Sequence, residues 1–292
     1  MKVGVVYPQN ETHGDPRGVL EIGRAAEDLG YDSILFYDHV VGAEHADREP
    51  KLWGPYTEDD SFHDPFVAFG YLAAVTSRIE LATGVLVLPQ RQTVLAAQQA
   101  ADADLLSGGR LRLGVGTGWN WVEYDALGVD FAQRGARLDE QIALMRVLWE
   151  QPLVTFEGRF HRLERCCINP RPARRIPIFA GGFSEAAFRR GGTLCDGFTF
   201  AGDVDAAVAG MERVEHYLAA AGRDASTFPR ELIMTRARTP QQVVETASRW
   251  QEVGGTGVSV LTQKVGLPTI EAHLEYLAEV KDALGRAFGS GA

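Results

Sequence analysis

Short apolar runs recur along the chain and alternate with longer stretches whose apolar residues sit three and four apart. The runs cover residues 3–7, 33–36, 79–88, 111–115, 176–180, 197–201, 232–235 and 258–261. Several are rich in β-branched residues and lack strict polar alternation. Strands of a parallel sheet buried on both faces read this way. Between them, Val19, Ile22, Ala26 and Leu29 mark one helical face, and Gly30 stops it. The same spacing predicts helices over 65–75, 94–106, 138–149, 184–190, 204–221, 241–253 and 269–288. Eight strands, each followed by a helix, predict an α/β fold of the (β/α)8 TIM barrel type. An open doubly wound sheet gives the same pattern, because closure leaves no mark on a sequence.

No linker, repeat or low-complexity block interrupts the alternation, so one barrel domain over 1–292 is expected. An insertion lies near 152–172, where VTFEGRFHRLE alternates enough for a hairpin turning at Glu157-Gly158. Two connections are long: 38–64 after the second strand and 119–134 after the fourth. Both leave the carboxyl ends of strands, where a barrel builds its active site.

Composition narrows the classes. With 292 residues, 45% hydrophobic and 23% charged, the chain can bury a large core, and disorder is excluded as its overall state. The net charge of −10, from 29 basic and 39 acidic residues, argues against nucleic acid as a partner. No apolar run reaches the roughly 18 residues that a membrane helix needs. Met1-Lys2-Val3-Gly4 leads straight into a strand and does not read as a signal peptide. Cys166, Cys167 and Cys195 lack a C-x-x-C spacing and read as reduced thiols of a cytoplasmic protein.

Candidate chemistry lies just past the strand ends. Strand one ends at Tyr7, strand two at Asp38-His39, and strand three contains Thr83-Gly84-Val85. Strand four ends in Gly114-Val115-Gly116-Thr117-Gly118-Trp119, and strand five in Ala180-Gly181-Gly182. His39 is the best acid–base candidate, since imidazole titrates near neutrality. A plain hydrogen-bonded histidine is the alternative. His63-Asp64-Pro65 reads as a helix start with Asp64 as N-cap. Gly181-Gly182 before a helix capped by Ser184 suits a phosphate, or is a plain strand-to-helix turn. The Gly114, Gly116, Gly118 spacing is not a dinucleotide fingerprint, because 120–134 reads as loop. It suits close approach of backbone to a flat ligand, or a tight strand exit. Trp53, Trp119 and Trp121 could cover such a ring, or simply pack the loops. Neither a metal-ligand spacing nor a nucleophile elbow occurs. A pairing of His39 with Cys195 is disfavoured, because Cys195 precedes a strand and should lie at the far end.

These pieces resemble the luciferase-like flavin and deazaflavin oxidoreductases, and most closely their actinobacterial coenzyme F420-dependent branch. The resemblance rests on Leu29-Gly30-Tyr31-Asp32-Ser33 into Asp38-His39-Val40, and on Asp64-Pro65-Phe66 into 78–85. It continues through 105–110 into Gly114–Trp119, Glu123-Tyr124 with 126–128, 134–140, and Pro177-Ile178 into Gly181-Gly182. Beyond residue 200 it is one of pattern only. It implies hydride transfer with coenzyme F420 to or from a small organic substrate. The alternatives are an FMN-dependent monooxygenase and a non-catalytic flavin-binding barrel. It places His39 and Asp38 in the chemistry. The cofactor would lie against Tyr7, Asp38, His39, Thr83, Gly84, Val85, Gly116, Thr117, Gly118 and Trp119, with its phosphate at Ala180, Gly181 and Gly182. It implies a bulge and a cis peptide at Gly84-Val85, and a homodimer, at which the apolar helices 65–75 and 94–106 also hint. Arg162, Arg165, Arg171, Arg174 and Arg175 are offered to the acidic tail of F420, or form a solvated basic loop. The related sugar-phosphate and alcohol dehydrogenases place a proton-donating Glu after the strand-four glycines. Here that position is Trp119, so their acid chemistry does not carry over intact.

Overall fold

The apolar runs pair in parallel, and the pairing closes on itself. The computed structural model describes residues 1–289; residues 290–292 of the expected domain lie outside them. The elements begin β1 (Lys2–Val6), α1 (Pro16–Asp28), β2 (Ser33–Phe36), α2 (Pro65–Val75), β3 (Glu80–Thr83), β4 (Leu86–Val87), α3 (Thr93–Leu106) and β5 (Leu111–Gly116). They continue α4 (Trp121–Ala126), α5 (Arg134–Glu150), β6 (Val154–Glu157), β7 (Arg162–Cys166), β8 (Ile178–Gly181) and α6 (Glu185–Leu194). The last are β9 (Gly197–Ala201), α7 (Val204–Ala220), β10 (Arg230–Ile233), α8 (Pro240–Glu252), β11 (Gly257–Leu261) and α9 (Ile270–Phe288). The strand order is β3-β2-β1-β11-β10-β9-β8-β5, and β5 pairs back to β3. That last pairing excludes the open sheet: the fold is a (β/α)8 barrel.

The run 79–88 is two strands rather than one. Both β3 and β4 pair with β5, Ala82 opposite Arg112 and Leu86 opposite Val115. Four steps on one strand face three on the other, which is the expected bulge. The Gly84–Val85 peptide is cis. The 152–172 insertion carries an antiparallel hairpin, β6 on β7, closed by Gly158 N–H on the His161 carbonyl at 2.9 Å. Glu140 on α5 holds it by accepting the N–H groups of Arg159, Phe160 and His161 at 2.7–2.9 Å.

Along each strand, alternate residues separate into two cores. Val5, Ile34, Leu81, Leu232 and Val260 join helix residues such as Ile22, Leu72 and Leu144 in one large cluster. Their neighbours Val6, Leu35, Ala82, Ile233 and Leu261 form a second, small cluster inside the barrel. The amino end of the barrel interior is charged instead. Arg112 Nε meets Glu80 at 2.5 Å, its Nη1 meets Glu231 at 2.8 Å, and the guanidinium lies 4.6 Å from the Phe179 ring centroid. A cavity of about 440 Å3 opens there, lined in part by Lys2, Glu80, Arg112, Phe179 and Glu231. These residues sit at the amino ends of their strands, the end that in barrels serves stability.

Helix α1 is tied to the start of β3 through one carboxylate. Glu27 accepts the backbone N–H groups of Ser77, Arg78 and Ile79 at 2.6–2.9 Å, and the Ser77 hydroxyl. Burial works to raise this carboxyl, but the four hydrogen bonds outweigh it and hold it at about 2, below its ordinary 4.5. A depressed folded-state value means stability that is complete above pH 4.5 and lost as pH falls towards 2. Glu27→Gln should therefore cost about 1 kcal/mol at neutral pH, discounted for partial exposure. Urea titrations of parent and variant should converge as pH falls through that window; a constant gap down to pH 2 would refute the assignment.

Candidate active site

The bulge shapes the carboxyl mouth of the barrel. A Cβ on Gly116 would lie 2.5 Å from Val85 Cγ2, and one on Gly181 would lie 2.6 Å from Val85 Cγ1. Val85 is thus a wedge seated in the backbones of β5 and β8, and it brings both strand ends to one place. A Cβ on Gly114 would fall 2.0 Å from the Thr83 carbonyl oxygen, and one on Gly118 would fall 2.7 Å from Val87 Cγ1. The glycine run is therefore a tight strand exit: its missing side chains make room for the neighbouring strand rather than for a flat ligand. Gly84 is different. A Cβ there would meet the side chains of Leu35 and Ile233, at 3.0 and 3.5 Å. With Val6 and Leu261 these residues make an apolar floor inside the mouth.

His39 leaves β2 above this floor, and its partner comes from a helix. Residues 121–126, expected as loop, form α4, capped by Asn120 Oδ1 on Val122 N–H at 3.1 Å. Glu123, in its first turn, is buried. Its Oε1 accepts the N–H groups of Val40 and Val41 at 2.6 and 3.1 Å, and its Oε2 lies 3.2 Å from His39 Nδ1. A carboxylate accepts hydrogen bonds, so Nδ1 is the ring nitrogen that donates to Glu123, and Nε2 is turned away from it. Glu123 was not among the site residues expected from the sequence, and the structure brings it to His39. One signal was present: Asn120-x-x-Glu123 has the spacing of an N-cap followed by an acid at the third helical position.

Around His39 stand three aromatic rings. Phe62, Tyr56 and Trp119 have centroids 4.8, 5.1 and 5.5 Å from the imidazole. Gly54 presses its backbone on Trp119, where a Cβ would fall 2.2 Å from ring carbons. Gln9 joins both ends of the long loop, donating to the Tyr37 carbonyl at 2.5 Å and accepting His63 N–H at 2.9 Å. Of the other tryptophans, Trp53 is exposed under Lys51, and Trp121 is half-buried near Arg48.

Several expected residues are elsewhere or are differently employed. Asp38 is buried, with Oδ1 taking Arg91 Nη2 at 2.6 Å and Oδ2 taking Arg91 Nε at 3.2 Å and Val87 N–H at 2.9 Å. Burial pushes this carboxyl up, while Arg91 and the Val87 N–H pull it down. Both oxygens being taken, Asp38 positions the loop and is not free for acid–base work. Tyr7 and Ala180 belong to the cluster under the helices. Tyr7 stacks on Phe36 at 4.5 Å and shares its hydroxyl with Thr12 at 3.0 Å, so neither residue lines the mouth. Thr83 gives its hydroxyl to the Gly114 carbonyl at 2.6 Å, and the Thr117 carbonyl takes the Tyr124 hydroxyl at 2.7 Å. Arg174 and Arg175 bind Asp104 and Asp196 at 2.7 and 3.0 Å, beside the amino ends of β5 and β9. Arg171 donates to the Glu150 carbonyl. These three arginines are thus engaged at the far end and do not meet a cofactor tail at the mouth. Cys195 is also at that end, and burial pushes its thiol up to about 12, which removes it as a nucleophile.

The turn from β8 into α6 leaves an open helix start. Gly182 has φ 139°, which disfavours any side chain there. Ser184 caps α6 through Ala187 N–H, and the first N–H groups of a helix lack intrahelical acceptors. The one acid in that turn, Glu185, is bound by Arg213 and Tyr217 at 2.5 and 2.6 Å. An apolar floor for a ring and a helix start for a phosphate, both at one end, fit a flavin-type group.

A family model for luciferase-like monooxygenase matches residues 1–279. The chain belongs to the luciferase-like monooxygenase family. With the family comes the reaction class, that of an oxidoreductase. Among its relatives within the family, an uncharacterised protein of Mycobacterium tuberculosis (strain ATCC 25618 / H37Rv) is 35% identical over 208 residues, 67% of this chain and 70% of the relative. An F420-dependent glucose-6-phosphate dehydrogenase of Nakamurella multipartita is 34% identical over 195 residues, 66% of this chain and 54% of that one. A solved F420-dependent secondary alcohol dehydrogenase shares the fold at 16% identity, with a TM-score of 0.78 over 97% of this chain and 99% of that one.

The wedge at Val85 makes this family member's mouth testable without a ligand. Gly116→Ala should cost about 1–3 kcal/mol by overpacking, and Val85→Ala about 2 kcal/mol by leaving a void. The double variant should cost clearly less than the two combined, because the new methyl takes the vacated space. Additive urea-denaturation energies would show that the two residues do not share one site.

Proposed function

We propose that this protein is a coenzyme F420-dependent oxidoreductase in which His39 handles the proton that accompanies hydride transfer. The observation that carries the reading is the His39–Glu123 pair at 3.2 Å, set above an apolar floor at the barrel mouth. The glucose-6-phosphate dehydrogenase relatives, F420-dependent by name and 34% identical, support F420 over FMN. When bound, the deazaflavin supplies the site that gives or takes hydride. The floor residues Val6, Leu35, Ile233 and Leu261, with Gly84 and Val85, would lie against its ring. Gly181, Gly182 and the α6 start would hold its phosphate.

The protein's own residues do the rest. Glu123 fixes the His39 tautomer so that Nε2 can accept a proton from a substrate hydroxyl, or return one to a carbonyl oxygen. Arg91 bridges Asp38 at 2.6 Å and Asp64 at 2.9 Å, clamping the exit of β2 to the cap of α2. Trp119, Tyr56 and Phe62 keep water from the imidazole. The whole barrel, 1–292, is taken as one working domain. A homodimer is supported by α2, which is apolar on every side and leaves Val67 and Tyr71 exposed beside Val94 and Leu95 of α3. Three free cysteines suit the cytoplasm.

Purified apoprotein titrated with F420 and with FMN should bind F420 more tightly; binding of FMN alone would reverse the choice. His39→Ala should lower turnover by ~10²–10⁴ with F420 affinity little changed. Glu123→Gln should give a smaller loss of the same kind. Full turnover in His39→Ala would remove the residue from the chemistry. The pair Val67→Asp and Leu95→Asp should convert a dimer to a monomer in light scattering, and a monomeric parent would overturn the dimer.

A further inference from the structure

We infer that the protein has a second binding site, between α5 and the turn of the β6–β7 hairpin, where Arg137 and Arg159 hold a small organic dianion with an apolar face, of the dicarboxylate type. The site stands apart from the residues of the mouth and does not depend on the reaction read at His39.

One face of α5 builds it. Gln133 at the N-cap, Arg137 and Glu140 are spaced four and three apart, so they follow one another down the same side of the helix. Arg159, in the hairpin turn, spans this row. Its backbone N–H reaches Glu140 Oε2 at 2.7 Å, and its Nη2 reaches Gln133 Oε1 at 2.8 Å. The span carries Arg159 past Arg137, and both line a cavity of about 290 Å3 with Val129, Asp130, Gln133 and Phe160. Among the described residues, neither guanidinium is ion-paired to a carboxylate: Arg137 Nε donates to the Pro89 carbonyl at 3.0 Å, and Arg159 Nη2 to the Gln133 amide. The two acids close by are engaged. Asp130 accepts from Ala132 N–H and Gln133 Nε2, each at 2.8 Å. Glu140 takes the N–H groups of the hairpin turn and lies 2.8 Å from His161 Nδ1.

What the cavity lacks is negative charge. Like charges on neighbouring positions destabilise, and an anion between them reverses the sign. A guanidinium presents a planar fork of N–H donors that matches a carboxylate edge to edge. Each of these two has donors to spare: Arg159 uses Nη2, and Arg137 uses Nε, with Nη2 3.5 Å from the Arg91 carbonyl. Two such groups take two carboxylates, and a monoanion would answer only one of them. Arg137 is already held by its carbonyl partners and loses little freedom on binding. The rest of the wall is apolar, from Val129 and Phe160, with the Arg159 guanidinium 5.0 Å from the Phe160 ring centroid. A flat hydrocarbon body can lie there, whereas inorganic phosphate would match the charge and leave that surface bare.

Phthalate, with two carboxylates on one flat ring, is the probe. Benzamide has the ring without the charge, and inorganic phosphate the charge without the ring. Calorimetric titration of the whole protein should show phthalate saturating a single site and weakening as salt rises. Benzamide should give no heat, and phosphate should bind more weakly than phthalate. Arg159→Gln and Arg137→Gln should each weaken phthalate about tenfold or more, the size of a lost charge-assisted contact. Arg159→Lys, which keeps the charge without the fork, should fall between the parent and Arg159→Gln. Arg24→Gln, on α1, should change nothing, which separates a local site from the net charge. The urea midpoint of Arg159→Gln should match that of the parent, so that weaker binding is not lost fold. Absence of saturable phthalate binding, equal affinity for inorganic phosphate, or binding indifferent to both glutamine variants would overturn the inference.

Discussion

A buried carboxylate must find donors, and where Glu123 finds them fixes the working end of this barrel. Three donors come from three consecutive residues: the His39 ring, Val40 N–H and Val41 N–H. The backbone leaving β2 is thereby tied to the start of α4. Removing one partner of such a buried set leaves a charge stranded, at a cost of about 3–5 kcal/mol. The same contacts that hold the loop hold the imidazole, so the fold of the mouth and the tautomer of His39 are one constraint.

The opposite end spends charge differently. Arg112 between Glu80 and Glu231 closes the amino end of the barrel with ion pairs from three strands. These groups answer one another, and no histidine stands among them. At the carboxyl end the interior turns apolar, at Val6, Leu35, Ile233 and Leu261. Polarity thus changes along the barrel axis from paired charge to bare hydrocarbon. The paired charges of one end and the apolar cluster of the other give the two ends of the barrel opposite characters.

Much of this was legible in the sequence, because a parallel barrel writes itself as alternating runs. The eight strand positions, the helices between them, the Asp64 and Ser184 caps and the hairpin at Glu157-Gly158 all follow from local spacing. The side on which a residue lies did not. In a strand that is apolar throughout, nothing marks which alternate positions face the barrel, so Tyr7 and Ala180 read as mouth residues and are core. Arg174 and Arg175 precede β8 in sequence, which puts them at its amino end, paired with Asp104 and Asp196. Helix α4 was hidden by its length, six residues being too few to show a period. The bond from Glu123 to His39 joins residues 84 apart, and no local pattern contains it.

The glycines show why function is harder to read than fold. Gly114, Gly116 and Gly118 look like space kept for a ligand, yet the space belongs to Thr83, Val85 and Val87. Their effect on a ligand is indirect. By admitting the Val85 wedge, Gly116 and Gly181 carry the ends of β5 and β8 to a common rim. Gly84, one residue away, is left facing Leu35 and Ile233 with no side chain of its own. The flat surface at the mouth is therefore made by a neighbour filling the glycine sites, not by leaving them empty. A substitution at any one of these positions acts on the surface through packing first. Its consequence for binding follows from the displaced strand.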